Sequence, residues 1–247
     1  FSSMQPVYAR KFVIIDTYPF YLAGKTLSAS EVYTYNAEFM KPARPLDLRI
    51  HEPISLGTDS SFRTYHKHSS FLHASFDLPI NTQLVSFYSG YPQTTISVYA
   101  TAQPEKRFAS CLLAGIGSSL KGVDEEDKVN ELLAFVQTDF GYKTDLEQFG
   151  FEKPFFCEEN FVYDYNDCED RAALFAHLVI SLTRCDVVLL EYPDHVSTAV
   201  RLSKEIKGDH VRINGENYYV CDPSYVGATI GMTMPKYKNI AVKVYVL

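Results

Sequence analysis

A cysteine at the start of a helix faces unpaired backbone amides and the positive end of the helix dipole, which favours the nucleophilic thiolate. Cys168 holds such a position: Asp167 reads as the N-cap of an apolar helix from Asp167 to Thr183, and Asp170 completes a capping-box spacing. A cysteine nucleophile also needs a base within hydrogen-bond reach and a third group that fixes the imidazole tautomer. His195 opens the run Val196 to Leu202, and Asp222 closes the run Tyr218 to Cys221. If these runs are neighbouring antiparallel strands, the start of one lies beside the end of the other, and all three side chains converge. Each alone has an ordinary reading, as a small buried thiol, a strand histidine and a turn former before Pro223. Only the triple points to catalysis. The carboxylates of Asp167, Glu169 and Asp170 suit a helix first turn but oppose a thiolate, so the catalytic reading requires them to point away from the sulfur.

Two kinds of segment must position these groups. The runs Phe12 to Ile15, Glu31 to Tyr35, Leu46 to Ile50, Thr82 to Tyr88 and Thr95 to Ala100 are β-branched or aromatic and bounded by Pro, Gly, Asn and Ser. They predict a β-rich region over residues 1–105. Beyond Pro104 the pattern turns helical: Asp124 to Phe140 sets Val129, Leu132, Leu133, Val136 and Phe140 on one face behind an acidic first turn. The helix after Asp167 is apolar on most sides and is expected in the middle of a domain. Val187 to Glu191, Val196 to Leu202, His210 to Ile213, Tyr218 to Cys221 and Val242 to Val246 then read as a mostly antiparallel sheet, with Asn214-Gly215 as a hairpin turn.

Composition narrows the function classes. The chain has 247 residues, 46% of them hydrophobic, and a net charge of −7 from 23 Lys+Arg and 30 Asp+Glu. That is enough apolar mass for a full core and excludes intrinsic disorder, while the lack of a basic block argues against nucleic acid. No apolar run reaches the length that spans a bilayer. Phe1 at the start reads as a processed or trimmed chain. The odd count of five cysteines leaves a thiol free, and Cys111, Cys157, Cys185 and Cys221 are expected to be core. His66, His68 and His73 lack matching ligands in sequence and read as a solvated loop. Asp164, Asn166 and Asp170 do not make a calcium loop, because Cys168 fills its fifth position and its sixth lacks Gly. Gly115-Ile116-Gly117 does not make a dinucleotide fingerprint. No cofactor or metal is expected.

Four pieces together carry a family resemblance. They are Phe140-Gly141-Tyr142 with Asp145, the stretch Asn166 to Ala172 around the cysteine, Asp194-His195-Val196, and Tyr219 to Tyr225 around the acid. From Asp124 to Pro235 the chain resembles the transglutaminase-like cysteine-hydrolase core, a papain-like relative in which Cys, His and Asp follow in that order. The tail Gly227 to Pro235 looks like a Bacteroides-type bacterial branch. The resemblance implies an α+β papain/transglutaminase-like core at 106–247, with a nucleophile-bearing buried helix packed on an antiparallel sheet. The β-rich residues 1–105, where no resemblance is recognised, would cover or extend the substrate cleft. It also implies Cys168 as nucleophile, His195 as general base and then acid, and Asp222 as the group orienting the imidazole. Protein-crosslinking members usually carry Trp after the nucleophile, whereas here Glu169 follows it and the chain has no Trp. Hydrolysis of an amide bond is therefore expected, with acyl transfer to an amine, or a non-catalytic binding module bearing the 18 Tyr and 17 Phe, as the rival readings. An oxyanion hole would use the Cys168 amide and one of Tyr163, Tyr165, Asn166 or Asn160. The resemblance implies a peptide or protein substrate, of cell-wall or envelope origin, and a periplasmic, cell-surface or secreted setting.

Overall fold

In the computed structural model, residues 47–247 and the strands Phe12–Ile15 (β1) and Tyr18–Tyr21 (β2), which pair antiparallel, are described. The run Glu31 to Tyr35 lies outside them. Residues 47–50 alternate exposed and buried as a strand would, yet pair with none. Phe62–Ser69 (β3) and Ala74–Asn81 (β4) form an antiparallel hairpin. His66 and His68 sit on its exposed face, hydrogen-bonded through Nδ1 to Asp77 Oδ1 (2.6 Å) and Ser75 Oγ (3.1 Å), so they belong to a strand and not to a loop.

The next two runs expected as strands are helices, Thr82–Ser89 (α1) and Ile96–Thr101 (α2). Asn81 decides the first: its Oδ1 accepts the amides of Gln83 (3.0 Å) and Leu84 (3.2 Å), so the chain leaves β4 directly into a capped helix. Leu84 and Tyr88, four residues apart, are the buried members. Residues 47–105 are thus a mixture of strand and helix.

Lys106–Ser119 (α3) is started by Glu105, whose carboxylate accepts the Arg107 (2.7 Å) and Phe108 (3.1 Å) amides. Gly115 lets this helix lie against β4, since a Cβ there would stand 2.3 Å from the Phe76 ring. Cys111 faces outward and is exposed, contrary to its expected core place, whereas Cys157, Cys185 and Cys221 are buried. Glu125–Thr138 (α4) carries the expected apolar face, with Val129, Leu132, Leu133 and Val136 fully buried.

Gly141–Tyr142 (β5) pairs in parallel with Tyr165–Asn166 (β6), and Asp145–Phe149 (α5) lies between them in sequence. Cys168–Leu182 (α6) follows and is buried along most of its length, as its composition requires. Asp186–Tyr192 (β7), His195–Arg201 (β8), His210–Ile213 (β9), Glu216–Cys221 (β10) and Lys243–Val246 (β11) make one antiparallel sheet in the order β11-β7-β8-β10-β9. Asn214 (φ 50°) and Gly215 (φ 91°) turn β9 into β10 with the left-handed backbone expected of that pair.

The fold is therefore α+β, with α6 packed on β7 and β8 and flanked by α2 and α4. One apolar core joins residues on both sides of position 105. At its centre Phe156 stacks on Tyr88 (4.1 Å between centroids) and meets Tyr99 (4.8 Å) and Tyr91 (5.1 Å). No helix among the described residues is long and apolar enough to cross a membrane. Because Phe156 is only 1% exposed, Phe156→Ala is expected to cost about 3–5 kcal/mol, measured as a drop in the urea midpoint at unchanged m-value.

Candidate active site

The register of the sheet brings His195 and Asp222 together. β7 and β8 are joined by the two-residue turn Pro193-Asp194, so His195 stands opposite Tyr192 at the first position of β8. Cys221 pairs with Thr198, which sets the end of β10 alongside the start of β8. Asp222 Oδ2 lies 2.9 Å from His195 Nε2, and both residues are buried. The other carboxylate oxygen accepts the Ser224 amide (3.0 Å) and hydroxyl (2.8 Å). Tyr237 stacks on the imidazole, with centroids 4.7 Å apart and planes 10° apart. With Nε2 engaged by Asp222, Nδ1 is the ring nitrogen left for proton transfer.

Cys168 occupies the first turn of α6. Asp170 fixes that turn by accepting the amides of Asp167 (3.3 Å) and Phe155 (2.7 Å). Cys168 and His195 line one cleft of ≈ 330 Å³. The Val196 amide donates toward the Cys168 sulfur, tying it to the start of β8. On the far side of the same helix start, the buried Arg171 donates to the carbonyls of Phe140 (2.6 Å) and Gln137 (3.3 Å), which joins α6 to the end of α4. Gln137 in turn donates to the carbonyls of Asp222 (3.0 Å) and Ala228 (3.1 Å). A glutamine on the otherwise apolar face of α4 is the sequence signal for this brace.

The carboxylates do not point away from the sulfur. Cys168 Sγ donates to Glu169 Oε2 at 3.0 Å. Burial first, and then Glu169 and Asp167, hold the thiol well above its ordinary range, so the helix-start setting expected to lower it is outweighed. Glu169 answers part of the tension itself. Burial and the Asp167 charge drive its own carboxyl well up, which favours the neutral acid, and a neutral acid does not repel a thiolate. Asp167 Oδ2 also reaches outside its own helix, accepting the Asp145 amide (3.3 Å).

None of the four upstream oxyanion candidates lines the cleft. Asn160 donates to the Phe156 (3.2 Å) and Cys157 (3.4 Å) carbonyls and accepts from Asn166 (2.5 Å), so both amides serve the buried turn before β6. Tyr163 stacks on Phe155 (4.9 Å), and Tyr165 lies under Lys143 (4.4 Å). The phenol that does line the cleft is Tyr142, whose ring lies 5.3 Å from the Arg171 guanidinium. Burial and the Cys168 sulfur raise its pKa. The oxygens of Asp145, Glu152 and Glu169 lie within 4.8 Å of one another, as do ligand atoms of Asp167, Cys168 and Glu169, close enough to share one positive charge.

A scan against protein-family models, a search of curated proteins and a search of solved structures each find nothing that matches this chain. The chemistry of the site therefore rests on its own geometry.

Burial and the neighbouring Asp167 push Asp145 up to about 7 from an ordinary value of 3.8. An acid with a raised folded pKa binds its proton more tightly in the native state, so its contribution is complete below the unfolded pKa and is lost as pH rises through the folded one. Stability is expected to fall between about pH 4 and pH 7, and Asp145→Asn is expected to flatten that slope in urea titrations across the range.

Proposed function

We propose that the protein is a cysteine-dependent amide-bond hydrolase with a papain/transglutaminase-like core, working through an acyl-enzyme on Cys168. The observation that carries this reading is the buried 2.9 Å contact of His195 Nε2 with Asp222, on the wall of the cleft that also holds Cys168. A histidine whose ring is stacked, whose outer nitrogen is held by a carboxylate and whose inner nitrogen is free is organised for proton transfer.

His195 Nδ1 takes the thiol proton, and the thiolate attacks the amide carbon. The Cys168 backbone amide, at the positive end of α6, and the Tyr142 hydroxyl receive the developing oxyanion. The tetrahedral adduct collapses as His195 gives its proton to the leaving nitrogen, and the amine departs. Water then attacks the thioester carbonyl and loses a proton to Nδ1. The C–S bond breaks, the acid leaves, and the proton returns to sulfur. Asp222 keeps Nε2–H oriented throughout and favours the transient imidazolium. The raised thiol pKa means that little thiolate exists before substrate binds, so proton transfer to His195 accompanies attack.

The test is turnover of peptidyl amides together with site-resolved alkylation. Cys168→Ala and His195→Ala are expected to lose at least ~10³-fold in kcat/KM, and Tyr142→Phe about 10²-fold in kcat with little change in KM. Iodoacetamide is expected to modify Cys168 in a His195-dependent manner and the exposed Cys111 independently of His195. A Cys168 indifferent to His195→Ala, in a protein that turns over no amide, refutes the hydrolase.

A further inference from the structure

The β3–β4 hairpin carries two histidines that amide hydrolysis does not use, and neither lines the Cys168 cleft. His66 and His68 alternate along β3 with Lys67 and Ser69, which are anchored inward. Lys67 lies over the Phe140 ring (4.2 Å) and donates to the Asp139 carbonyl, while the buried Ser69 hydroxyl donates to the Asp139 carboxylate. These two contacts fix the register of the strand and turn His66 and His68 to the outer face. Two residues of strand separate their Cα atoms by about 7 Å, a gap that two imidazoles leaning together can close around one ion.

The opposite strand prepares the rings for that role. Asp77 stands across from His66 and Ser75 across from His68. Asp77 Oδ1 lies 2.6 Å from His66 Nδ1, and Ser75 Oγ lies 3.1 Å from His68 Nδ1. A carboxylate accepts, so Nδ1 of His66 carries the hydrogen and the lone pair of the neutral ring sits on Nε2. With Ser75 Oγ accepting likewise, His68 presents the same nitrogen. Among the described residues, none bonds to either Nε2. A carboxylate behind an imidazole fixes its tautomer and raises its basicity as a ligand. Asp77 is also the one charged partner that β4 sets against these histidines on the outer face, so its negative charge meets no lysine or arginine of the hairpin there. The His66 and Asp77 side chains are 78% and 74% exposed, and an ion reaches them without any opening of the fold.

We propose that His66 and His68 form a surface site for a late first-row divalent ion such as Zn²⁺, Ni²⁺ or Cu²⁺. Both Nε2 atoms bind the ion, water completes its coordination, and Asp77 supports His66 from behind. Imidazole ligands favour these ions over calcium and magnesium, which take oxygen. The site stands apart from the hydrolase reading, and either can fail without the other.

The test follows the histidine ring signals of the full chain by NMR while nickel chloride is added, with His66 and His68 assigned from the variants His66→Gln and His68→Gln. Both rings are expected to broaden together, ahead of His51, His73 and His210, and to saturate at one ion per chain. Either variant is expected to weaken nickel binding at the remaining histidine at least ~10-fold, because the second ligand is lost. Asp77→Asn is expected to weaken it about 10-fold while both rings still respond, and a ~100-fold excess of calcium is expected to leave the broadening unchanged. Since the substituted side chains are exposed, an unchanged backbone amide spectrum verifies the fold of each variant. A His66 that binds nickel equally well in His68→Gln, another histidine that responds first, or displacement of nickel by calcium overturns the site.

Discussion

The start of α6 is the point on which the site depends. A helix so thoroughly buried cannot leave its first amides unsatisfied, and no water reaches them from the core side. Asp170 anchors the entry to the helix, accepting the amide of the N-cap residue Asp167 and that of Phe155 in the preceding chain with a carboxylate that is 1% exposed. The incoming chain is thereby held against the helix it enters. Cys168 has one place to be, at the floor of a cleft. Arg171, one residue further on, fastens the same turn to the end of α4, and Gln137 carries the connection to Asp222. The turn that bears Cys168 and the strand end that bears Asp222 are thus linked through a chain of buried polar contacts on elements far apart in sequence.

This way of holding a helix gathers carboxylates. Asp145, Asp167, Glu169 and Asp170 all lie near the first turn of α6, and burial raises each of them. Like charges this close do not all ionise together, so the cluster favours holding protons. The same carboxylates hold the Cys168 thiol up.

Much of this was legible in the sequence because it depends on local pattern. The strands from β7 to β11 are rich in β-branched and aromatic residues, Asn214-Gly215 has few alternatives to a tight turn, and α4 and α6 declare themselves by apolar pattern and by acidic first turns. The failures lie where local composition and tertiary context disagree. Thr82, Val85, Phe87 and Tyr88 have strand-forming side chains, but Asn81 caps them into a helix whose buried positions lie four apart. Glu169 turns to the Cys168 sulfur and comes within 4.8 Å of Asp145 and Glu152, which are distant in sequence and invisible to spacing. Tyr142 was visible as a residue but not as a wall of the cleft, since its place follows from the parallel pairing of β5 with β6.

Tyr237 presses flat against His195 while Asp222 holds Nε2. Turning the imidazole over would drive its edge through the phenol ring and forfeit the carboxylate contact. The ring is therefore a fixed post and not a swinging arm. A proton it accepted on Nδ1 would have to leave from the same atom and toward the same side of the cleft. In the proposed hydrolysis, leaving nitrogen and incoming water would have to occupy one location in turn, so the first product would vacate the cleft before the second half of the cycle.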